Sequence, residues 1–340
     1  MSRRMLTVTR PTADGSPSTS VVTDLATDGA GRFVALADES GVITVMDADA
    51  GEHHVRFHAG GGGNGSVVAV SRVAWADARF GELLATAADD GCVSVWKIVA
   101  PVNSTKNNAS REPAAQRLFS ALLPQPVTAI DWAPPEFGLM LASACSDGRV
   151  YFVSSPDTDG AWQRQSLDAH TAPLGNGCHA VSWFPFLAPS SLVNMPLASG
   201  TQQAALSIPP PRLVTSGLDR MVRVWRFAPQ DRLWVLDSEL TELSVMSQAY
   251  IRDVRAAPHH GLPFGYIAAG TEDGLVGVWR QDGLDGKWLF AQLPPLSAPV
   301  CRLSWSSCGT FLCVNDAHSN ATLWMEDRLA EWRLCHNGIR

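Results

Sequence analysis

Three residues near the end of the chain carry side chains that commonly bind metals. Cys308, Cys313 and His318 follow one another at intervals of five residues. A structural zinc site needs four such ligands in tetrahedral geometry. The local pattern predicts that both cysteines lie on strands and the histidine in a turn, with no fourth ligand nearby. We therefore expect no metal site.

A glycine-rich run from Gly60 to Ser66 has the composition of a phosphate-binding loop. Such a loop needs a Gly-Lys-Ser/Thr sequence at the start of a helix, and this run has neither feature. We interpret the run as a flexible connection, and we expect no cofactor.

Serine, histidine and aspartate are plentiful, but no serine lies in the Gly-x-Ser-x-Gly pattern of a nucleophile elbow. His58 and His170 each precede a predicted inner strand, where a histidine fits a structural role. His259 and His260 lie in a predicted loop. We therefore expect no catalytic residue and no enzyme activity.

The strongest pattern is a cassette of an aspartate, a turn residue, alternating apolar residues and a tryptophan. The clear copies are Asp90 to Trp96, Asp219 to Trp225 and Asp273 to Trp279. The degraded copies begin at Ser40, Asp147 and His318 and end at Met46, Val153 and Trp324. Each copy predicts a tight turn that leads into a strand. A repeat of about 50 residues predicts equivalent sheet units.

Each repeat contains four predicted strands. Four of the first strands end in a tryptophan, and the other two end in Thr27 and Ala256; the tryptophans are Trp75, Trp132, Trp183 and Trp305. The last strands are His53–Phe57, Gln116–Leu122, Trp162–Leu167, Leu233–Leu236, Lys287–Leu293 and Trp332–His336. Six units of four antiparallel strands predict an all-β, six-bladed WD-repeat β-propeller.

We assign residues 1–20 to an N-terminal tail and residues 21–340 to a single propeller domain. The predicted blades span approximately residues 21–60, 66–123, 126–168, 177–240, 249–294 and 298–337. The fourth unit contains an insertion, Leu187–Pro211, which is rich in proline, serine and alanine. We interpret it as a surface loop.

The cassettes also predict structural residues. We expect their tryptophans to wedge between blades, because buried aromatic side chains dominate core energetics; they are Trp96, Trp225, Trp279 and Trp324. We expect their aspartates to accept turn N–H groups; they are Asp90, Asp147, Asp219 and Asp273. A hydroxyl lies four residues before the aspartate in three units, at Thr86, Ser143 and Thr215.

Composition limits the classes of function. The net charge is −7, with 26 basic and 33 acidic residues, which argues against a general nucleic-acid binder. The seven cysteines are dispersed and fit a reducing compartment. Residues 1–11 lack the apolar core of a signal peptide, and no apolar stretch is long enough to span a membrane. We expect a cytosolic or nuclear protein.

The first and last predicted blades each have four strands of their own, so no obvious strand is left over to connect blade one to blade six. An open seam would expose strand edges and apolar faces that invite a partner. The predicted partner-binding residues are Val21, Val22, Thr23 and Asp24 in blade one and Val300, Cys301, Arg302 and Leu303 in blade six. The alternative is a closed ring in which Met5–Thr9 serves as a latch strand. These residues alone leave open and closed rings equally possible.

Several strings resemble the Sec-thirteen family of WD-repeat propellers over approximately residues 21–337. The blade-three string Ala133-Pro-Pro-Glu-Phe-Gly-Leu-Met-Leu-Ala-Ser-Ala-Cys-Ser-Asp-Gly is specific to that pattern. So are Arg252-Asp-Val and Gly261-Leu-Pro in blade five, while Gly177-Cys-His-Ala-Val-Ser-Trp resembles blade four. The chain departs from the family where Met46 replaces a bulky aromatic residue and Ala256 replaces a tryptophan.

This resemblance implies an open propeller whose seventh blade is donated by an α-solenoid partner. It implies a scaffold subunit of the COPII coat in transport from the ER to the Golgi and of the nuclear-pore Y-complex. It further implies a link to a nutrient-signalling complex on lysosomal or vacuolar membranes. The protein would bind the membrane only through its assembly, without direct contact with nucleic acid. Two alternatives are a sister nuclear-pore or nutrient-signalling propeller and a substrate receptor of a ubiquitin ligase.

Overall fold

The computed structural model describes residues 7–11, 17–49, 53–59, 68–99, 114–155, 161–171, 177–187, 209–258, 264–283 and 286–337. The glycine-rich run, His259, His260 and nearly all of the Leu187–Pro211 insertion lie outside these residues. The chain divides into two compact units, residues 1–166 and 167–340.

The first unit contains three antiparallel sheets, of which the third extends two residues beyond residue 166. Blade one consists of β1 (Thr7–Pro11), β2 (Pro17–Thr27), β3 (Phe33–Asp38), β4 (Val42–Asp47) and β5 (His53–His58). Blade two consists of β6 (Val70–Trp75), β7 (Leu83–Ala88), β8 (Cys92–Val99) and β9 (Ala114–Leu122). Blade three consists of β10 (Val127–Trp132), β11 (Met140–Cys145), β12 (Arg149–Ser154) and β13 (Gln163–Asp168).

The second unit contains three sheets with the same strand order. Blade four consists of β14 (Cys178–Trp183), β15 (Arg212–Gly217), β16 (Val222–Ala228) and β17 (Leu233–Leu240). Blade five consists of β18 (Ile251–Ala256), β19 (Phe264–Thr271), β20 (Val276–Asp282) and β21 (Trp288–Gln292). Blade six consists of β22 (Val300–Trp305), β23 (Phe311–Asp316), β24 (Ala321–Glu326) and β25 (Trp332–Asn337). One short α-helix, α1 (Glu242–Met246), precedes blade five.

Two 3₁₀ helices, Ala78–Phe80 and Pro135–Phe137, follow the inner strands of blades two and three. Every sheet is built from strands that are consecutive in the chain. Six consecutive antiparallel meanders of four strands, the first extended by β1, are the blades of a WD-repeat β-propeller. The predicted fold class is therefore confirmed, as is the expectation that each unit owns all four of its strands.

The N-terminal segment differs from the prediction. The inner strand of blade one begins at Pro17 rather than Val21, and residues 17–21 pair with β1. β1 overlaps the predicted latch segment, Met5–Thr9, but it belongs to the sheet of blade one. Part of the predicted tail therefore extends the first blade.

All six inner strands contain a β-bulge between the first and second residue pairs that join them to the next strand, which the sequence did not reveal. The bulged residues are Thr23, Ser71, Thr128, His179, Arg252 and Cys301. In the first unit, the Thr23 hydroxyl donates to the Val70 carbonyl, and Ser71 Oγ lies 3.4 Å from the Val127 carbonyl oxygen. A bulge re-aims a side chain away from the pleat, and here it links one blade to the next.

The landmark tryptophans of the inner strands also link neighbouring blades. Trp75 Nε1 donates to the Ala26 carbonyl at 3.2 Å, and Trp305 Nε1 donates to the Arg255 carbonyl at 3.2 Å. Blade five has Ala256 at this position, and there the Ala256 N–H donates to Ser182 Oγ at 3.3 Å. Buried backbone groups need such partners, so the substitution keeps the link between blades but changes its donor.

Three of the four cassette aspartates named above accept the backbone N–H group of the residue two positions later. Cys92 donates to Asp90 at 2.9 Å, and Met221 donates to Asp219 at 3.2 Å. Arg149 donates to Asp147 in the same way, and Asp273 accepts from Ser247 Oγ at 2.6 Å. These turns contain a residue in the left-handed region, which is a glycine in four blades, Arg220 in blade four with φ of 66° and Ser319 in blade six with φ of 63°.

We predict that Gly91→Ala destabilises the protein more than Gly31→Ala. Both glycines have positive φ, 86° and 70°, and both N–H groups close a turn of the same length, so each alanine loses about 1–2 kcal/mol from backbone strain. A Cβ at position 91 would also lie 2.8 Å from the Leu123 carbonyl oxygen, whereas position 31 has open space. We expect this overlap to add about 1–3 kcal/mol. Urea unfolding of both variants measures the difference, and equal losses would contradict the packing argument.

Candidate functional site

The cassette tryptophans occupy the predicted buried positions and use their ring N–H groups. Trp96 Nε1 donates to Thr86 Oγ1 at 3.0 Å, and Trp225 Nε1 donates to Thr215 Oγ1 at 2.9 Å. Trp96 packs in the core between blades one and two, and its ring centroid lies 4.7 Å from that of Phe57. In these two blades the tryptophan is buried and its N–H binds the hydroxyl that lies four residues before the cassette aspartate.

Other blades lack one partner and satisfy the tryptophan differently. Blade five has Ala269 in place of the hydroxyl, and Trp279 Nε1 donates to Glu242 Oε2 at 2.9 Å. Blade six has Val314 at that position, and Trp324 Nε1 donates to Thr322 Oγ1 at 2.9 Å. Each buried N–H therefore finds an acceptor even where the repeat has degraded.

Blade three shows the converse defect, because it keeps the hydroxyl and has lost the tryptophan. Val153 stands in the tryptophan position, and the buried Ser143 Oγ has no hydrogen-bond partner among the described residues. The hydroxyl of Ser143 therefore lacks the donor that its counterparts in blades two and four bind.

Blade four contains the most complete polar network of the described residues. His170 Nδ1 lies 2.8 Å from Asp219 Oδ1, and His170 Nε2 lies 2.9 Å from Thr215 Oγ1. Trp225 donates to the same hydroxyl. A neutral His170 that donates from Nδ1 satisfies all members, because the threonine then donates to Nε2 while it accepts from the tryptophan.

This array of carboxylate, imidazole and hydroxyl has the composition of a hydrolytic triad, but its surroundings are those of a core. His170 is 1% exposed and Thr215 is 0% exposed. A catalytic hydroxyl must reach a substrate, whereas this one is enclosed and already binds two partners. The network therefore fits a structural role, as predicted for His170. His58 differs from that prediction, because it lies exposed at the end of β5.

The network has a defined electrostatic state. Burial lowers the pKa of His170, against the opposing effect of its hydrogen bond with Asp219. Burial alone would raise the pKa of Asp219, but hydrogen bonds from His170 and Arg223 outweigh it and lower that pKa to about 2. The folded protein therefore holds a neutral imidazole beside an ionised carboxylate.

We predict that acid destabilises the protein in two steps. Below pH 6.5, His170 is protonated in the unfolded chain but stays neutral in the folded protein. The free energy of unfolding therefore falls as pH decreases. Asp219 contributes stability above its ordinary pKa of 3.8, and this stability is lost as pH falls from 3.8 towards 2. Urea unfolding at a series of pH values measures both steps.

His170→Gln isolates the first step. We expect it to lower the free energy of unfolding at pH 7 by about 1–3 kcal/mol, because it breaks a buried network. The decline between pH 6.5 and pH 5 should become shallower than in the native protein. His58→Gln, which replaces an exposed histidine outside this network, is the control for the substitution itself. A native slope in His170→Gln would refute the assignment.

The faces of the sheets differ between interior and terminal blades. The second strands of blades two and four, β7 and β15, are buried at every residue, which means that both of their faces are covered. The second strands of blades one and six, β3 and β23, alternate between buried and half-buried residues. Blades one and six therefore each bury one face fully and leave the other only half covered.

In blade one, the covered face packs against blade two through Phe33, Ala35 and Val45. The opposite face, termed here the half-covered face of blade one, comprises Leu25, Val34, Leu36 and Met46. Leu25 is 50% exposed, and the other three are half-buried. This face is apolar on three adjacent strands.

In blade six, the covered face packs against blade five through Leu303, Val314 and Trp324. The half-covered face of blade six comprises Phe311, Cys313, Leu323 and Met325, all of them half-buried. Each half-covered face is a sheet surface of the kind that binds another sheet.

The predicted partner-binding residues of blade one lie at the inner edge of its sheet. Thr23 and Asp24 bind blade two, because the Asp24 carboxylate accepts the Val73 N–H at 3.0 Å and the Thr23 hydroxyl binds the Val70 carbonyl. Val21 and Val22 are half-buried. Thr23 and Asp24 therefore contact the neighbouring blade, and the role of all four residues toward a partner stays a prediction.

The predicted residues of blade six divide in the same way. Val300 and Leu303 are buried against blade five, and the Leu303 N–H donates to Asp253 Oδ2 at 2.9 Å. Cys301 is exposed and Arg302 is half-buried. Most of the surface of the half-covered faces lies on the middle strands, but Leu25, their most exposed residue, follows the predicted residues of blade one on its inner strand. Alternation in Val34–Leu36 and Phe311–Cys313 is the sequence signal for these faces, but interior blades alternate in the same way.

The candidate metal ligands are not arranged as the sequence predicted. Cys308 lies in the turn between β22 and β23 rather than on a strand, while Cys313 lies on β23 and His318 lies in the following turn. Hydrogen bonds with Ser306 and Thr310 lower the pKa of Cys308 to about 7.

The described part of the chain also contains no helix long and apolar enough to cross a membrane.

Comparisons with known proteins place the chain in a family. No protein-family model matches it. Protein transport protein SEC13 of Mycosarcoma maydis is 30% identical and aligns with 96% of this chain and 94% of its own length. Protein SEC13 homolog of Drosophila melanogaster is 34% identical over 77% of this chain and 67% of its own length.

Among solved structures, a chain in the crystal structure of a mitotic checkpoint complex matches with a TM-score of 0.59. That match covers 92% of this chain and 79% of the other at 14% identity, so it bears on the fold alone. The identity to SEC13 proteins over nearly the full length of both chains bears on descent. The protein belongs to the SEC13 family.

Proposed function

We propose that the protein is a non-catalytic scaffold subunit whose two half-covered faces receive strands from a partner. The observation that carries the proposal is the one-sided burial of β3 and β23, set against the two-sided burial of β7 and β15. An apolar sheet face of this kind gains stability when another sheet covers it, at about 25 cal/mol for each Å² of apolar surface buried.

The occupant we propose is a blade donated by an α-solenoid coat subunit or nucleoporin. Relatives of this chain are named protein transport proteins, which supports a role in transport. The family resemblance supports membership of the COPII coat at the ER and of the nuclear-pore Y-complex, with a further pool at lysosomal or vacuolar membranes. In each assembly the propeller would stiffen a membrane-curving lattice and stay peripheral to the bilayer.

A scaffold role also accounts for the polar residues that most resemble catalytic groups. The Asp219–His170–Thr215 network is enclosed in blade four and holds the sheet together. Blade rigidity matters to a lattice subunit because interfaces built on rigid elements lose little conformational entropy on binding.

Affinity capture of the tagged full-length chain from its own cells, followed by mass spectrometry, tests the proposal. We expect a large α-solenoid protein of a vesicle coat or of the nuclear pore in stoichiometric amount. Recovery of ubiquitin-ligase subunits without such a protein would overturn the proposal.

We predict that Leu25→Asp reduces recovery of the solenoid partner at least tenfold. The substitution places a carboxylate in an interface that we propose is apolar, and desolvating an unpaired charge is unfavourable. Leu233→Asp is the matched control, since Leu233 is 62% exposed on β17 of blade four and belongs to neither half-covered face. We expect native recovery from that variant and native unfolding temperatures for both. Equal recovery from both variants would refute the role of this face.

A further inference from the structure

The half-covered face of blade one changes character from its inner strand to its outer strand. One row of directly paired residues crosses it: Leu25, Leu36, Thr44 and Arg56. The row is apolar on β2 and β3 and ends in a charge on β5. His58 lies two residues further along the same strand and is also exposed. A partner that covers this face therefore meets apolar side chains first and a basic margin at the outer strand.

Arg56 is unusual among the arginines on outer strands. Arg117 of β9 lies over the ring of Trp96 at 5.8 Å, and Arg164 of β13 lies over the ring of Phe119 at 5.6 Å. Arg333 of β25 pairs with Asp327 at 2.6 Å. Among the residues that the structure describes, Arg56 has neither an aromatic ring nor an acidic partner and is exposed.

The equivalent row in blade four contains a pair of opposite charges. That row consists of Thr215, Arg223 and Glu239, and Arg223 Nε donates to Glu239 Oε1 at 2.8 Å. Blade one has an arginine at the outer-strand position where blade four has Glu239, and its row contains no acid. A partner that covers the face can therefore supply a carboxylate to Arg56.

We infer that the segment that covers the half-covered face of blade one carries an Asp or Glu that pairs with Arg56. This inference rests on the proposed function and specifies its partner: donated strands that are apolar toward Leu25 and Leu36 and acidic at their outermost strand. Bidentate pairing with a carboxylate fixes register as well as attraction, because the guanidinium presents donors in a planar fork. The pair would set how the foreign strands align against β5.

The test uses the tagged full-length chain expressed in its own cells and compares Arg56→Glu, Arg56→Gln and Arg164→Glu. We expect Arg56→Glu to lower recovery of the solenoid partner about tenfold at 50 mM salt, because it sets like charges opposite each other. Arg56→Gln should lower recovery about threefold. At 500 mM salt, charge screening should bring the partner recovery of both Arg56 variants closer to that of the native chain. Arg164→Glu, an exposed arginine on the outer strand of blade three, should behave as the native chain.

The outcomes separate this inference from the proposal on which it rests. If Leu25→Asp abolishes recovery while Arg56→Glu recovers the partner at the native level, the face binds the partner and the acidic contact is wrong. If the native chain recovers no solenoid protein, both ideas fail. Native unfolding temperatures for the Arg56 variants, which are expected for an exposed side chain, exclude misfolding as the cause of any loss.

Discussion

Every blade of this protein has to bury two apolar faces. Alternation with a period of two places half of the side chains of each strand on either face, and in the interior blades both halves are apolar. A single four-stranded meander cannot cover itself, so each sheet depends on a neighbour on both sides. Within each compact unit the neighbours are adjacent blades, and the core clusters lie between them. Blades one and six each have one face for which the described chain offers only partial cover.

Hydrogen bonds between inner strands hold the faces in register. Asp24 accepts the Val73 N–H in the first unit, and Asp253 accepts the Leu303 N–H in the second, so the same link recurs between blades one and two and between blades five and six. The tryptophan-to-carbonyl bonds add a second link at the other end of the inner strand. Apolar packing is not directional, whereas these bonds fix how far one blade slides along the next.

The sequence predicted the features that recur in every blade, such as the strand positions. It did not predict the particular contacts that lie outside the repeat or between two blades. Cassette spacing located the strands to within a few residues; the outer strand of blade two begins at Ala114 instead of Gln116. The same spacing did not show that Trp279 binds Glu242, because that acceptor lies 37 residues upstream, outside the repeat. The spacing also did not show which of the predicted partner-binding residues are accessible. Val300, for example, is one of them but is buried against blade five. Whether a sheet face is buried depends on the sheet that packs against it, so the residue pattern of one strand cannot predict it.

The degraded cassette of blade one acquires a meaning from this comparison. Leu84 pairs with Trp96 in blade two as Val34 pairs with Met46 in blade one, and Thr86 corresponds to Leu36. Leu36 and Met46 of blade one therefore replace the buried hydroxyl and the indole of blade two, and both lie on the half-covered face. A tryptophan at position 46 would not need an acceptor from another protein, because Thr44 lies where Thr322 accepts the Trp324 N–H in blade six. Leu36 and Met46 therefore make the face apolar and free of directional hydrogen bonds, and a flexible methionine adapts to the surface that covers it. Under the proposed function, directional recognition of the partner falls to the margin of the face, where Arg56 lies.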